Sequence, residues 1–158
     1  MKKKLMVSLL VLLLVPAFMV AGYQTAEAKT IKLTYSNFFP PTHIQSILAE
    51  AWCKEVGKRT NGQVKIDYYP GQTLTKAKQN YDGVVTGQSD LGLCLFAYNR
   101  GRFPVMAAVD LPLGYTSGKV ATQVVNAVYG KFMPEELMDT KVMYLHAHGP
   151  GILHTKGK

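Results

Sequence analysis

His146 and His148 stand two residues apart in an apolar stretch. On a strand that spacing turns both imidazoles to one side, where they can take a transition metal. His43 or His154 would add a third ligand, and Asp90 or Asp110 would give such a centre the acid needed for hydrolysis, although no carboxylate or thiolate spacing completes the shell. A second chemistry is anion capture. Arg100 and Arg102 follow an apolar run, and a guanidinium there holds a carboxylate by two parallel hydrogen bonds. Asn37, Phe38 and Phe39 offer an amide and apolar walls, and Tyr98 lies next to the arginines. Enzyme signatures are missing: there is no GxSxG elbow, HExxH helix, P-loop or CxxC pair, and Gly149-x-Gly151 lacks the third glycine of a nucleotide fingerprint. No catalytic residue, cofactor or metal is therefore expected in the leading reading. A small exported metal-binding or hydrolytic protein using His146 and His148 stands as its alternative.

The elements that must position these residues follow from periodicity. Ile31 to Ser36 predicts a strand, and Pro40-Pro41 forbid a helix before Thr42, which forms a capping-box pattern with Gln45. Ile44, Ile47, Leu48, Ala51, Trp52 and Val56 then recur at helical spacing and predict an inward apolar stripe, with Trp52 as core, down to Arg59 and the Asn61-Gly62 stop. Val64, Ile66 and Tyr68 alternate as a strand before the Pro70-Gly71 turn. A helix is expected from Thr75 to Thr86 with Ala77, Tyr81, Val84 and Val85 inside. The continuous apolar run Leu91 to Phe96 reads as a parallel strand covered on both faces. Strand, helix, strand, helix, strand is the order of a parallel α/β sheet with right-handed crossovers. Its carboxyl edge, where ligands collect, is where Asn37 to Phe39 and the loop arginines fall. Further on, a helix capped by Ser117 runs to Gly130 and Pro134 opens a short one. Lys141 to His148 and Ile152 to Thr155 complete the expected strands.

The chain has 158 residues, 47% hydrophobic and 18% charged, which suits one ordinary core and excludes disorder and collagen-like repetition. Lys2, Lys3 and Lys4 precede the apolar run Leu5 to Val20, and Ala26-Glu27-Ala28 supplies small residues at a cleavage point. This is the layout of a cleavable export signal over residues 1–28. The rival, a permanent anchor, needs about 20 apolar residues, whereas this run has 16 and contains Pro16. Removing three lysines and Glu27 lowers the net charge from +8 to +6, with the lysines scattered, so no nucleic-acid partner is expected. Cys53 falls in a helix pattern and Cys94 in an apolar strand, places that suit buried free thiols better than a bridge.

Together these pieces resemble a known family, the extracytoplasmic solute receptors of tripartite ATP-independent periplasmic (TRAP) transporters, of the dicarboxylate-receptor type. The resemblance rests on the first strand, on Lys54-Glu55-Val56 with Thr60-Asn61-Gly62, and on Val64 to Gln72 with Tyr69-Pro70-Gly71-Gln72-Thr73-Leu74. It extends through Gly87-Gln88-Ser89-Asp90-Leu91 and Asp110-Leu111-Pro112, so that it covers nearly all of residues 31–158. It implies a periplasmic-binding-protein-like fold, of which residues 29–158 supply the first lobe and the start of the crossing strands. It also implies a receptor that closes two lobes around a small organic acid and hands it, without chemistry, to membrane subunits driven by an ion gradient. In such receptors the ligand carboxylate is clamped by an arginine of the second lobe, which has no counterpart in these residues. By position, Asn37, Phe38, Phe39, Phe96, Tyr98 and Arg100 match cleft segments of the first lobe, and His148 and Gly149 match a cleft segment near the hinge. His43 is counted with them as a substrate-binding candidate.

Overall fold

β1 (Ile31–Ser36) is the middle strand of a parallel sheet in the computed structural model of the chain, flanked by β2 (Val64–Tyr69) and β3 (Leu91–Gly92) in the order β2-β1-β3. The structure describes residues 29–149, 151 and 155–157. The export segment, its cleavage point, His154 and most of the strand expected over Ile152–Thr155 lie outside them. Ile31 to Lys158 form one unit by contact, and among the described residues no helix is long and apolar enough to cross a membrane. β1 pairs with β2 from Ile31↔Val64 to Ser36↔Tyr69. The ladder is continued by the Ile31 N–H to the Gln63 carbonyl at 2.8 Å and the Asn37 N–H to the Tyr69 carbonyl at 2.9 Å.

The first helix, α1 (Ile44–Arg59), packs on the sheet with the opposite face from the one its apolar stripe predicts. Ser46, Ala49 and Cys53 are buried, whereas Ile44 is 59% and Leu48 56% exposed, and Trp52 remains 40% exposed with its ring edge-on to Tyr35. The reason is volume. Tyr35, Ile66, Tyr68, Leu91 and Leu93 fill the gap over the sheet, and only a helix face of small residues can approach them. The helix start is also displaced from the expected capping box: His43, not Thr42, is the N-cap, and its Nδ1 accepts the Gln45 N–H at 3.2 Å.

The predicted helix from Thr75 contracts to a 3-10 turn (Ala77–Gln79) and α2 (Asn80–Val85), because Thr75 is drawn out of the helix into a buried polar knot. The Ser36 hydroxyl shares a hydrogen bond with the Thr75 hydroxyl at 2.7 Å, accepts the Thr75 N–H at 3.2 Å and reaches Asn80 Oδ1 at 3.1 Å. Thr75 Oγ1 also donates to Asn80 Oδ1. The Asn80 amide then donates to the Leu93 carbonyl at 2.7 Å. β3 is correspondingly shorter than the run Leu91 to Phe96 suggests. After the Leu93 N–H bonds the Ser36 carbonyl at 3.0 Å, β1 has turned away and no strand is left to pair with. Gly92 is required here, since a Cβ would lie 2.8 Å from Val84 Cγ2 and 3.0 Å from the Asn80 carbonyl.

The third helix, α3 (Gly118–Phe132), is capped by Ser117 Oγ as expected and runs past Gly130 to a left-handed Met133. Pro134 caps rather than opens the following 3-10 turn, Glu135–Leu137. Lys141 to His148, expected as a strand, runs without a ladder among the described residues. Its backbone is held by α3 instead. Thr122 Oγ1 accepts the Ala147 N–H at 3.0 Å and donates back to the Ala147 carbonyl at 3.2 Å, while the Asn126 amide donates to the Leu145 carbonyl at 3.0 Å. A second core forms here from Tyr81, Phe103, Met106, Val109, Val125 and Leu137. The Glu136 carboxylate secures it by accepting the N–H groups of Val105 and Met106 at 3.0 and 2.7 Å. Both cysteines are free, as expected, and burial pushes each thiol up to about 11.

Asp90 braces β1 at the amino end of β3. Its Oδ2 accepts the Thr34 N–H at 2.7 Å and the Thr34 hydroxyl at 2.8 Å, and these bonds, the backbone one first, hold its carboxyl below the ordinary carboxylate range. The ionised form is thus favoured by folding. Its contribution is present above the unfolded carboxyl value of about 4 and is lost as pH falls through the lower folded value. Because the pair is solvent-exposed, Asp90→Asn is expected to cost only about 1 kcal/mol at pH 7. In urea titrations that deficit shrinks toward zero near pH 2; an equal deficit at both pH values would refute the assignment.

Candidate functional site

The carboxyl ends of all three strands open on one edge of the sheet, and the loops that follow them build the site. After β1 comes Asn37, wholly buried, whose Nδ2 donates to the Tyr68 hydroxyl at 2.8 Å and whose Oδ1 accepts the Phe39 N–H at 2.9 Å. Its amide is therefore engaged with the chain itself and fixes the Phe38-Phe39 loop. The turn after β2 locks the same loop from the other side. Gly71 and Gln72 are both left-handed, and their N–H groups reach the Phe39 and Asn37 carbonyls at 2.8 and 3.1 Å. Ser46 Oγ adds a third tie to the Phe39 carbonyl at 3.0 Å.

What these ties hold in place is a row of rings. The His43 ring stacks on Phe39 at 4.0 Å and 4°, Phe39 lies 4.3 Å from Phe38, and Phe38 meets the edge of Tyr98 at 5.5 Å. Such offset and edge-on contacts fit the quadrupoles of the rings. With Nδ1 accepting the Gln45 N–H, the neutral His43 ring carries its proton on Nε2. The row ends at an open cleft of about 410 Å³, lined among the described residues by Lys78, Ala97, Tyr98 and Arg100. Tyr98, one of these lining residues, is 42% exposed to solvent.

The two loop arginines have different tasks. Arg102 pairs with Asp82 at 2.6 Å and Asp139 at 3.8 Å and lies over the Tyr81 ring at 4.6 Å, so its charge is spent on the second core. Arg100 is exposed and has no ion pair among the described residues. Phe96 turns from the cleft to Phe103 at 5.1 Å. His148 and Gly149 are not among the described lining residues. They lie at the start of α3, where a Cβ on Gly118 would sit 3.3 Å from the His148 carbonyl carbon and 3.1 Å from the Gly149 nitrogen.

Among the described residues the histidine pair gathers no metal shell. His146 stacks on Tyr144 at 5.8 Å, His148 Nδ1 lies 2.6 Å from the Gly149 carbonyl, and Asp90 is held by Thr34. No group of three or more metal-ligating side chains occurs among the described residues. Lys78 is the lining residue that sequence reading missed. Its only signal is its place just past the β2 turn, on the ligand-collecting edge.

A parallel α/β unit with a cationic, aromatic-lined cleft at the carboxyl edge of its sheet is the architecture of a small-ligand-binding lobe. Residues 35–158 match the bacterial extracellular solute-binding proteins of family 7 (DctP), and the chain belongs to that family. A TRAP periplasmic solute-binding protein from Desulfovibrio salexigens is 41% identical with a TM-score of 0.63, over 68% of this chain and 34% of its own. A marine-metagenome TRAP solute-binding protein specific for aromatic acid ligands, solved with 3-hydroxybenzoate, is 27% identical with a TM-score of 0.72, over 77% and 39%. A solute-binding protein of Albidiferax ferrireducens is 29% identical over 105 residues, 63% of this chain and 30% of the relative. The chain thus spans 30 to 39% of the length of these relatives, and its fold is that of the periplasmic binding proteins, as the resemblance implies. The solved relatives are transport receptors, not enzymes.

Asn37→Ala would remove one partner of the Tyr68 hydroxyl and leave the part-buried Phe39 N–H without its acceptor, at about 1–3 kcal/mol for a group left unsatisfied. Chemical denaturation should therefore show a loss of about 2 kcal/mol or more. A loss under about 0.5 kcal/mol, the range of ordinary surface substitutions, would mean that Asn37 does not hold the loop.

Proposed function

We propose that this chain is the first-lobe part of a periplasmic receptor that captures a small organic acid, an aromatic carboxylate, for uptake by TRAP membrane subunits. Export follows the segment over residues 1–28 with cleavage after Ala28, and the receptor performs no chemistry. The ligand ring lies on Tyr98 at the end of the aromatic row, and the carboxylate faces the Arg100 guanidinium. The observation that carries this reading is the pairing of an exposed aromatic face with a cation that no acid among the described residues neutralises. The aromatic class draws support from the relative solved with 3-hydroxybenzoate. Hinge closure of a two-lobe receptor would bury the ligand and strengthen the ion pair by excluding water.

Calorimetry on the protein expressed from its complete reading frame tests this with benzoate and 3-hydroxybenzoate. Arg100→Gln is expected to weaken binding about tenfold or more, the worth of one charge-assisted pair. If neither acid binds, or the variant binds as the parent does, the cleft is not the carboxylate site. Secretion is checked separately: the exported protein should begin at Lys29 by N-terminal sequencing, and recovery of an intact residue 1–28 segment on the membrane would contradict it.

A further inference from the structure

His43 makes two contacts at the carboxyl edge, with different parts of its ring. Its Nδ1 caps α1 by accepting the Gln45 N–H at 3.2 Å, and its face lies against Phe39 at 4.0 Å and 4°. The backbone that carries the ring is held as well, by the His43 N–H to the Pro40 carbonyl at 2.9 Å. Serine, threonine, asparagine or aspartate would supply the same cap acceptor. At so short a reach, histidine is the side chain that adds a flat aromatic face to it.

The Phe39 backbone is fixed without help from that face. Its N–H is held by Asn37 Oδ1 at 2.9 Å, and its carbonyl accepts the Gly71 N–H at 2.8 Å and the Ser46 hydroxyl at 3.0 Å. These bonds leave the rotamer of the ring open, since one backbone conformation admits more than one staggered well. The ring is settled by its aromatic neighbours, His43 and, at 4.3 Å, Phe38. Phe38 is buried and meets the edge of Tyr98 at 5.5 Å and 61°. Rings packed in such a row shift together, because turning one alone opens a gap or a clash beside it.

We infer that His43 is a positioning residue: without touching the ligand, its ring fixes Phe39 and, through Phe38, the attitude of Tyr98, and so sets a preference for a flat aromatic acid over a saturated acid of the same charge. The inference rests on the reading of the cleft as the organic-acid site with the ligand ring on Tyr98. A flat ring gains from a partner held at a fixed angle, whereas a saturated ring gains from buried area alone. That geometric part of an aromatic contact corresponds to about twofold to tenfold in affinity.

The test is calorimetry on the protein from its complete reading frame, comparing benzoate with cyclohexanecarboxylate, which carries the same charge on a puckered ring. The parent should bind benzoate about fivefold tighter. His43→Asn keeps a cap acceptor and removes the ring, so the benzoate advantage should fall below about twofold while the saturated acid changes less than about twofold. Phe39→Leu opens the row one ring further in with the cap intact and should do the same, which keeps the test decisive if either variant folds poorly. His43→Phe keeps a ring and loses the acceptor; it should retain the advantage and lower the melting temperature by about 2–4 °C. Tyr98→Leu should abolish the advantage, and His43→Asn added to it should weaken benzoate no further, since residues acting along one row are not additive. If benzoate and the saturated acid bind the parent equally, or if His43→Asn keeps the advantage, weakens both acids alike or adds to Tyr98→Leu, His43 has no such role and the organic-acid site stands. If neither acid binds, that site itself is wrong and the inference falls with it.

Discussion

The buried hydroxyl of Ser36 governs how the carboxyl edge of the sheet is built. It is the last residue of β1, wholly inaccessible, and it is matched by Thr75 and Asn80 from the segment that follows β2. Each of these groups would cost about 1–3 kcal/mol if buried without a partner, so the three are held together by the penalty for separating them. Through Asn80 and the Leu93 carbonyl the same knot reaches the end of β3. One polar contact set thus joins the loops after all three strands. It also explains why the helix after β2 starts late and why β3 is short, since Thr75 and the Leu93 carbonyl are taken up in it.

The surroundings of the knot are built by matching volumes and charges. Large side chains on the sheet force α1 to approach by Ser46, Ala49 and Cys53, which leaves Ile44, Ile47, Leu48 and Trp52 at the surface. On the other side, Arg102 neutralises Asp82 and Asp139 while covering Tyr81, and Glu136 caps the turn that begins at Met106. With those acids engaged, Lys78 and Arg100 stand without an ion pair among the described residues and leave positive charge at the carboxyl edge. The fixed Phe38-Phe39 loop sets the aromatic row beside it. The positive charge at this edge follows from what the core leaves unneutralised.

Periodicity and punctuation in the sequence were enough for the order of the first elements, the parallel α/β class, the Ser117 cap, and the edge on which Asn37 to Phe39, Tyr98 and Arg100 lie. These features depend on neighbours within a few residues, so local spacing carries them. The family resemblance was legible for the same reason, in short turn motifs such as Tyr69-Pro70-Gly71-Gln72. Tertiary structure alone decided which face of α1 is buried, because an apolar stripe records that a surface exists and says nothing of the volume facing it. It alone gave Asn37 its part in holding a loop, since the Tyr68 hydroxyl to which it donates lies 31 residues away. It separated Arg102 from Arg100 through Asp82 and Asp139, and it brought Lys78 to Tyr98. Partners that distant in sequence become neighbours only when the chain has folded, and so no local pattern could have assigned those charges.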